Sequence, residues 1–273
     1  VRVVHKQKKS DSNAHQSLTK GGNDVVGLIP ARYESSRFPG KPLALLGGKP
    51  IIQHVVERAC RTACLSKVVV ATDSEEIAMA VQGFGGSWVM TGSHHRCGTD
   101  RLSEAANLLK LGDDDIVVNI QGDQPLFNPE IVALIVSLLH ADPGIVMTTA
   151  VFKVVREQEI GDPNHVKSII DRRGNALYFS RSTIPYVRNG SDSKPDYFKH
   201  LGFYGYRKHF LDTFASLPEG EWERCEKLEQ LRALEHGYPI KVVISEHDSI
   251  EIDTQQELER AGEILMADHC LRS

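Results

Sequence analysis

The sequence predicts an α/β fold: a mostly parallel central sheet flanked by helices, with a smaller antiparallel insert. Three observations predict it. From Val25 onward, short wholly apolar runs alternate with stretches whose apolar residues recur at three- and four-residue spacing, the rhythm of strand, helix, strand. The strand runs lack polar alternation, as strands covered by helices on both faces should. After residue 150 that rhythm gives way to aromatic runs punctuated by turn residues, which read as antiparallel strands.

Val25–Ile29 (VVGLI) is the first strand. In Pro50–Ala63, the residues Ile51, Ile52, Val55, Val56, Ala59, Cys60 and Ala63 form one apolar helical face. KVVVATD is a buried strand ending at Asp73, Ser74–Gln82 a helix with Ser74 as N-cap, and SWVM a short strand. Thr99–Lys110 is helical, and DIVVNI is a buried strand closing in Gln121-Gly122-Asp123-Gln124-Pro125. Pro129–His140 follows as an apolar helix and IVMTTAVFKV as a strand.

In the second half, HVKSIID and ALYFS are strands around the turn Arg172-Arg173-Gly174-Asn175, and HLGFYGYR is an aromatic strand. The antiparallel insert spans about 151–215. Cys225–Glu235 is expected as one helix, with Glu229 and Gln230 in its middle. IKVVIS then returns to the main sheet, and Thr254–Met266 closes the fold as a helix capped by Thr254. One domain covers 24–268; residues 1–23 are a polar tail that is expected to be disordered.

Composition narrows the classes. A 273-residue chain that is 41% apolar with a net charge of −4 is an ordinary globular protein, not a general nucleic-acid binder. No apolar run approaches the ~20 residues of a membrane-spanning helix. Cys60 and Cys64 stand one helical turn apart instead of at metal- or disulfide-like spacing, so the five cysteines are expected to be reduced core thiols. The expected location is cytoplasmic; the chain does not begin with Met, which leaves an organellar or anchoring segment upstream open.

The chemistry is expected at the carboxyl ends of the parallel strands, where such sheets bind ligands. There the first strand runs into ARYESSRFPGKPL, which sets Arg32, Arg37 and Lys41 within ten residues, beside Gly40 and among three prolines. So dense a cationic loop suits a compact polyanion such as a nucleotide triphosphate. It is neither a Walker loop, since Ser35 and Pro42 stand where Gly and Ser or Thr are needed, nor a GxGxxG turn. Asp123 follows a buried strand and Asp253 follows ISEHDSIEI; two carboxylates near three cations make sense as ligands for Mg²⁺ on a polyphosphate, although Asp253 also suits a helix start.

Asp73 reads as a cap or loop brace. In HHRCGTDR the zinc templates are not met, and Gly98-Thr99 with Arg101 alongside reads as a turn whose backbone contacts a base. Arg181, His200, Tyr204 and Arg207 share a strand neighbourhood that fits an acidic, hydroxylated substrate or simply the polar face of a sheet.

Taken together, IPARYESSRFPGKPL, VATDSEEI, HHRCGTDR, VNIQGDQPL, YFSRSTIPY, KHLGFYGYR, LEQLRALEHG and IEIDTQQELE, in this order, resemble the 3-deoxy-manno-octulosonate (Kdo) cytidylyltransferases, or CMP-Kdo synthetases, from Val25 to about Leu265. The resemblance implies a glycosyltransferase-A-like nucleotidyltransferase, a homodimer that joins CTP and Kdo into CMP-Kdo and pyrophosphate with Mg²⁺. It further implies that Arg32, Arg37 and Lys41 hold the triphosphate, that Asp123 and Asp253 ligate magnesium, and that Gly98, Thr99 and Arg101 lie by the cytosine. Gln121, Arg181, His200, Tyr204, Glu229 and Gln230 would bind Kdo.

Departures from the family pattern are QGDQP for QGDEP and HHRCGTDR for DHQSGTDR, so that Gln124, His94, Arg96 and Cys97 bear on metal affinity and base recognition. The rival readings are a cytidylyltransferase for another acidic sugar, such as sialic acid, and an inactive nucleotide-binding relative.

Overall fold

A computed structural model describes residues 23–34, 38–95, 97–188 and 195–270, with side chains to 267. The expected tail and Arg37 lie outside these residues. The elements run β1 (Val25–Ala31), β2 (Leu45–Leu46), β3 (Lys49–Pro50), α1 (Ile51–Ala59), β4 (Lys67–Thr72), α2 (Glu75–Gly83), β5 (Ser87–Met90), α3 (Gly98–Leu108), β6 (Ile116–Asn119), α4 (Pro129–Ala141) and β7 (Met147–Lys153). They continue with α5 (Glu157–Gly161), β8 (Lys167–Ile170), β9 (Ala176–Ser180), β10 (Phe198–Arg207), α6 (Lys208–Ser216), α7 (Glu221–Glu226), α8 (Gln230–Glu235), β11 (Lys241–Ser245) and α9 (Gln255–Cys270).

The main sheet has the order β11-β7-β10-β6-β1-β4-β5. Strands β6, β1, β4 and β5 pair in parallel, as do β7 and β11. Between the two parallel blocks lies β10, antiparallel to both β6 and β7. Thus HLGFYGYR belongs to the centre of the main sheet, and the β8–β9 hairpin, joined to β10, carries the rest of the antiparallel structure expected over 151–215. The strand is aromatic because both of its faces are covered, Phe203 on one and Tyr204 and Tyr206 on the other.

Two apolar layers cover the sheet. Ile51, Ile52, Val55 and Val56 of α1 pack with the apolar faces of α2, α4 and α9 on one side, while α3, α6 and α8 close the other. Local signals explain the helix starts: Ser74 Oγ accepts from Ile77 N, Asn128 Oδ1 accepts from Glu130 N ahead of Pro129, and Thr254 Oγ1 accepts from Glu257 N while Glu257 returns to the Thr254 N–H.

Two expectations are corrected. Helix α1 stops at Ala59, so Cys60 is exposed and Cys64 half-buried instead of forming a core pair. The single helix over Cys225–Glu235 is broken at Lys227, whose φ of 54° no helix interior tolerates. Glu229 therefore stands at the N-terminal boundary of α8 instead of mid-helix.

Candidate active site

The ends of β1 and β6 open into a cleft of about 460 Å³ lined by Arg32, Lys41, Gly98, Arg101, Gln121, Asp123, Glu251 and Asp253, among others. The two strand ends come close because of Gly122: a Cβ there would stand 2.9 Å from Pro30 O. Gly40, at φ 70°, lets its N–H close the cationic loop on Tyr33 O at 3.0 Å, and the short 3-10 turn Lys41–Leu43 follows. Lys41 is thereby aimed inward.

Its ammonium lies 2.7 Å from Asp123 Oδ2 and 2.9 Å from Asp253 Oδ1. Burial alone would lower the Lys41 pKa, but the charges and hydrogen bonds of the two aspartates outweigh it and raise it. The two aspartate segments are tied by their backbones, Ile252 N donating to Asp123 O at 2.9 Å. With Ile252 buried between them, Glu251 and Asp253 both line the cleft, and oxygens of Asp123, Glu251 and Asp253 lie within 4.8 Å of one another. Glu251 has surface open to solvent, yet its carboxyl sits in a recess. Loss of hydration there, then the charges of Asp123 and Asp253, push its pKa well above the ordinary carboxylate range.

Sequence reasoning passed over Glu251. The signal was the spacing Glu-Ile-Asp, which puts alternate residues of an extended segment on one side.

Gly98 borders the cleft at the first turn of α3, and Cys97 beside it replaces the serine of the family pattern. Burial, then the neighbouring Glu229 carboxylate, raises the Cys97 pKa, so this thiol stays protonated. Thr99 is buried and donates to Glu229 Oε1 at 2.6 Å, tying α3 to α8. Arg101 is buried and already engaged, with Asp73 Oδ2 at 2.7 Å and Thr91 Oγ1 at 2.6 Å, so it braces the ends of β4 and β5 and Asp73 is its partner.

Behind this wall, β10 is interrupted by a bulge between His200 and Tyr204, with Gly202 at φ 79°. Three consecutive carbonyls there are met by side chains: Leu201 O by Gln124 Nε2 at 2.9 Å, Gly202 O by Gln121 Nε2 at 2.5 Å, and Phe203 O by Thr149 Oγ1 at 2.7 Å. Because Thr149 gives its only proton to Phe203, its oxygen accepts from His200 Nε2, 2.9 Å away, which fixes the imidazole tautomer. Burial lowers the His200 pKa to about 3.

Gln124, the departure beside Asp123 that bears on metal affinity, has its bonds elsewhere. It faces away from the carboxylates: its side chain is buried, and Oε1 accepts from Ser249 Oγ at 2.6 Å.

Of the residues expected at the sugar, Gln121 lines the cleft. His200, Tyr204, Glu229 and Gln230 are not among its lining residues; ring contacts join His200 to Tyr204 and Tyr204 to Tyr206, and Glu229 is tied to Thr99. Gln230 is buried with Nε2 unmatched by any protein acceptor among the described residues. Arg181 stands outside the cleft lining, donating from Nε to Glu226 O at 2.8 Å and from a terminal nitrogen to Pro163 O at 3.0 Å.

A further pair was also missed: buried Arg232, held at 2.8 and 2.6 Å by Glu223, reaches Asp100 in the first turn of α3 at 3.8 Å.

A doubly covered, mostly parallel sheet with cations and converging carboxylates at its strand ends defines a nucleotidyltransferase. The chain belongs to the Cytidylyltransferase family, whose profile matches residues 26–246. It is similar to the 3-deoxy-manno-octulosonate cytidylyltransferase of Syntrophus aciditrophicus strain SB, 56% identical over 243 residues, 89% of this chain and 97% of that one. The 8-amino-3,8-dideoxy-manno-octulosonate cytidylyltransferase of Shewanella halifaxensis strain HAW-EB4 is 55% identical over 236 residues, 86% of this chain and 96% of that one. Among solved structures, a CMP:2-keto-3-deoxy-manno-octonic acid synthetase complexed with CTP aligns with a TM-score of 0.84 and 40% identity, covering 90% of this chain and all of that one.

Proposed function

We propose that this chain transfers the cytidylyl group of CTP to the anomeric hydroxyl of Kdo, giving CMP-Kdo and pyrophosphate. The observation that carries the reading is the convergence of Lys41, Asp123 and Asp253 at the strand ends of a chain in this family. Arg32, Arg37 and Lys41 neutralise the triphosphate. Gly98 borders the cytosine, and Thr99 and Arg101 act on it by holding the wall in place. Gln121, His200, Tyr204, Glu229 and Gln230 orient the sugar, and Arg181 serves it by anchoring the end of β9 to the end of α7.

The three convergent carboxylates offer only oxygen donors, which fits a hard divalent cation such as Mg²⁺. Asp123 and Asp253, with Glu251 beside them, would hold it. When bound, it supplies charge neutralisation and polarisation of a phosphoryl oxygen. In the reaction the anomeric oxygen attacks the α-phosphorus, the bond to the bridging oxygen of the pyrophosphate breaks, and the hydroxyl proton passes to solvent. The chain's contribution is positioning and a fixed field of charge.

The 8-amino-3,8-dideoxy sugar is the second reading, favoured by the Shewanella relative. Pyrophosphate release with CTP, Mg²⁺ and each of Kdo, its 8-amino analogue and sialic acid decides among them. Kdo should give the highest kcat/KM, and no release with any sugar would overturn the proposal in favour of an inactive relative.

We also infer a homodimer through the insert face, supported by Leu177 and Tyr186, 60% and 84% exposed; a monomer in multi-angle light scattering would refute it. Among the described residues no helix is long and apolar enough to cross a membrane, and the free thiols of Cys60, Cys64, Cys97 and Cys225 support a cytoplasmic location.

A further inference from the structure

We propose that Lys41 is the resident counter-ion of the Asp123–Asp253 pair: without nucleotide its ammonium occupies the place a divalent cation takes, and it vacates that place for the triphosphate. The inference rests on the metal reading above. Its basis is geometric. The ammonium bridges one oxygen of each aspartate at 2.7 and 2.9 Å, and those residues supply the same carboxylates that converge with Glu251 within 4.8 Å. A divalent cation and an ammonium in contact with the same two oxygens would stand only a few ångströms apart and repel strongly, so they compete for that place.

The backbone of Lys41 is held between Gly40 in the left-handed region and Pro42 in the 3-10 turn, so the exchange falls to its flexible four-carbon stem. The acceptor that draws it away is the triphosphate itself. Metal and nucleotide binding are thereby coupled: the cation meets a blocked site until the nucleotide supplies Lys41 with a new anion, and by linkage each tightens the other. The pairing also stabilises the Asp123 and Asp253 carboxylates, which would otherwise repel each other at this separation.

The test titrates the full chain with Mn²⁺, without nucleotide, and reads free Mn²⁺ by electron paramagnetic resonance. Lys41→Met should bind Mn²⁺ about tenfold more tightly than wild type or better, the ordinary scale of coupling between sites. Lys41→Arg, which keeps a cation in place, should stay near wild type. Arg32→Met removes the same charge from the cleft wall without unblocking the pair, and its gain should stay within about threefold, the scale of an exposed charge.

Lys41→Met binding Mn²⁺ no more tightly than Arg32→Met would overturn the inference. Mn²⁺ bound by none of these proteins, with CTP or without, would overturn the metal reading along with it. A crystal structure of wild type with Mn²⁺ and CTP provides a test that does not depend on any variant folding. Lys41 Nζ should lie beyond about 3.5 Å from both carboxylates; an ammonium still bridging them, with Mn²⁺ bound at the same pair, would refute the exchange.

Discussion

Replacing Gln124 by Leu tests whether this residue braces the site. Its amide spans two segments: Nε2 donates to the buried carbonyl of Leu201 in the β10 bulge, and Oε1 accepts from Ser249, two residues before Glu251. Leucine leaves the Leu201 carbonyl without a donor, a loss of about 1–3 kcal/mol for a buried acceptor. Ser249 is only partly buried, so water replaces its lost partner at a cost of about 1 kcal/mol. The gain from an apolar side chain in the same space offsets about 1 kcal/mol. The net expectation is a loss of about 1–3 kcal/mol, within the reserve of about 5–15 kcal/mol of an ordinary domain, so the variant folds.

Equilibrium urea unfolding should show a lowered midpoint with an unchanged slope. Ser249→Ala alone should cost about 1 kcal/mol or less, because it leaves the Leu201 bond intact. A Gln124→Leu loss below about 0.5 kcal/mol, or a Ser249→Ala loss equal to it, would refute the view that the amide's donor side secures the bulge.

Asp123→Asn should lower kcat by about 10²–10³, or about 3–4 kcal/mol, with folding intact by circular dichroism; near-normal turnover would remove Asp123 from the chemistry. The folded-state pKa of His200 lies below its unfolded value, so the unfolded chain binds the extra proton and stability falls as pH drops through about 6.5. Wild type should lose up to about 2 kcal/mol between pH 7 and 5 that His200→Gln retains, and parallel pH profiles from urea unfolding would contradict this. Arg232→Met should cost about 3–5 kcal/mol by stranding the Glu223 carboxylate, and adding Glu223→Gln should recover much of it; additive losses in thermal unfolding would deny the pair.

What the sequence made legible followed from local signals. The strands β1, β4 and β6 are nearly continuous apolar runs, and the carboxyl ends of β1 and β6 point to Lys41 and Asp123 from the sequence alone. The place of β10 was not legible, because an aromatic run reads alike at an edge, in an insert or between two parallel blocks; tertiary pairing alone decides. The break at Lys227 carries no glycine to announce it. At the site, Arg101 and Arg181 read as ligand-binding cations because a guanidinium's protein partners, here Asp73 and distant carbonyls, are remote in the chain. Gln124 read as a missing charge for the same reason, its partners lying 77 and 125 residues away.

The most direct test follows an oxygen atom. Kdo carrying ¹⁸O at the anomeric hydroxyl, turned over with CTP and Mg²⁺, should place the label in the bridge between sugar and phosphorus, seen as an isotope shift in the phosphorus resonance of the CMP-sugar, with unlabelled pyrophosphate. A CMP-sugar lacking the label, label in the pyrophosphate, or no CMP-sugar at all would contradict attack by the anomeric oxygen on the α-phosphorus.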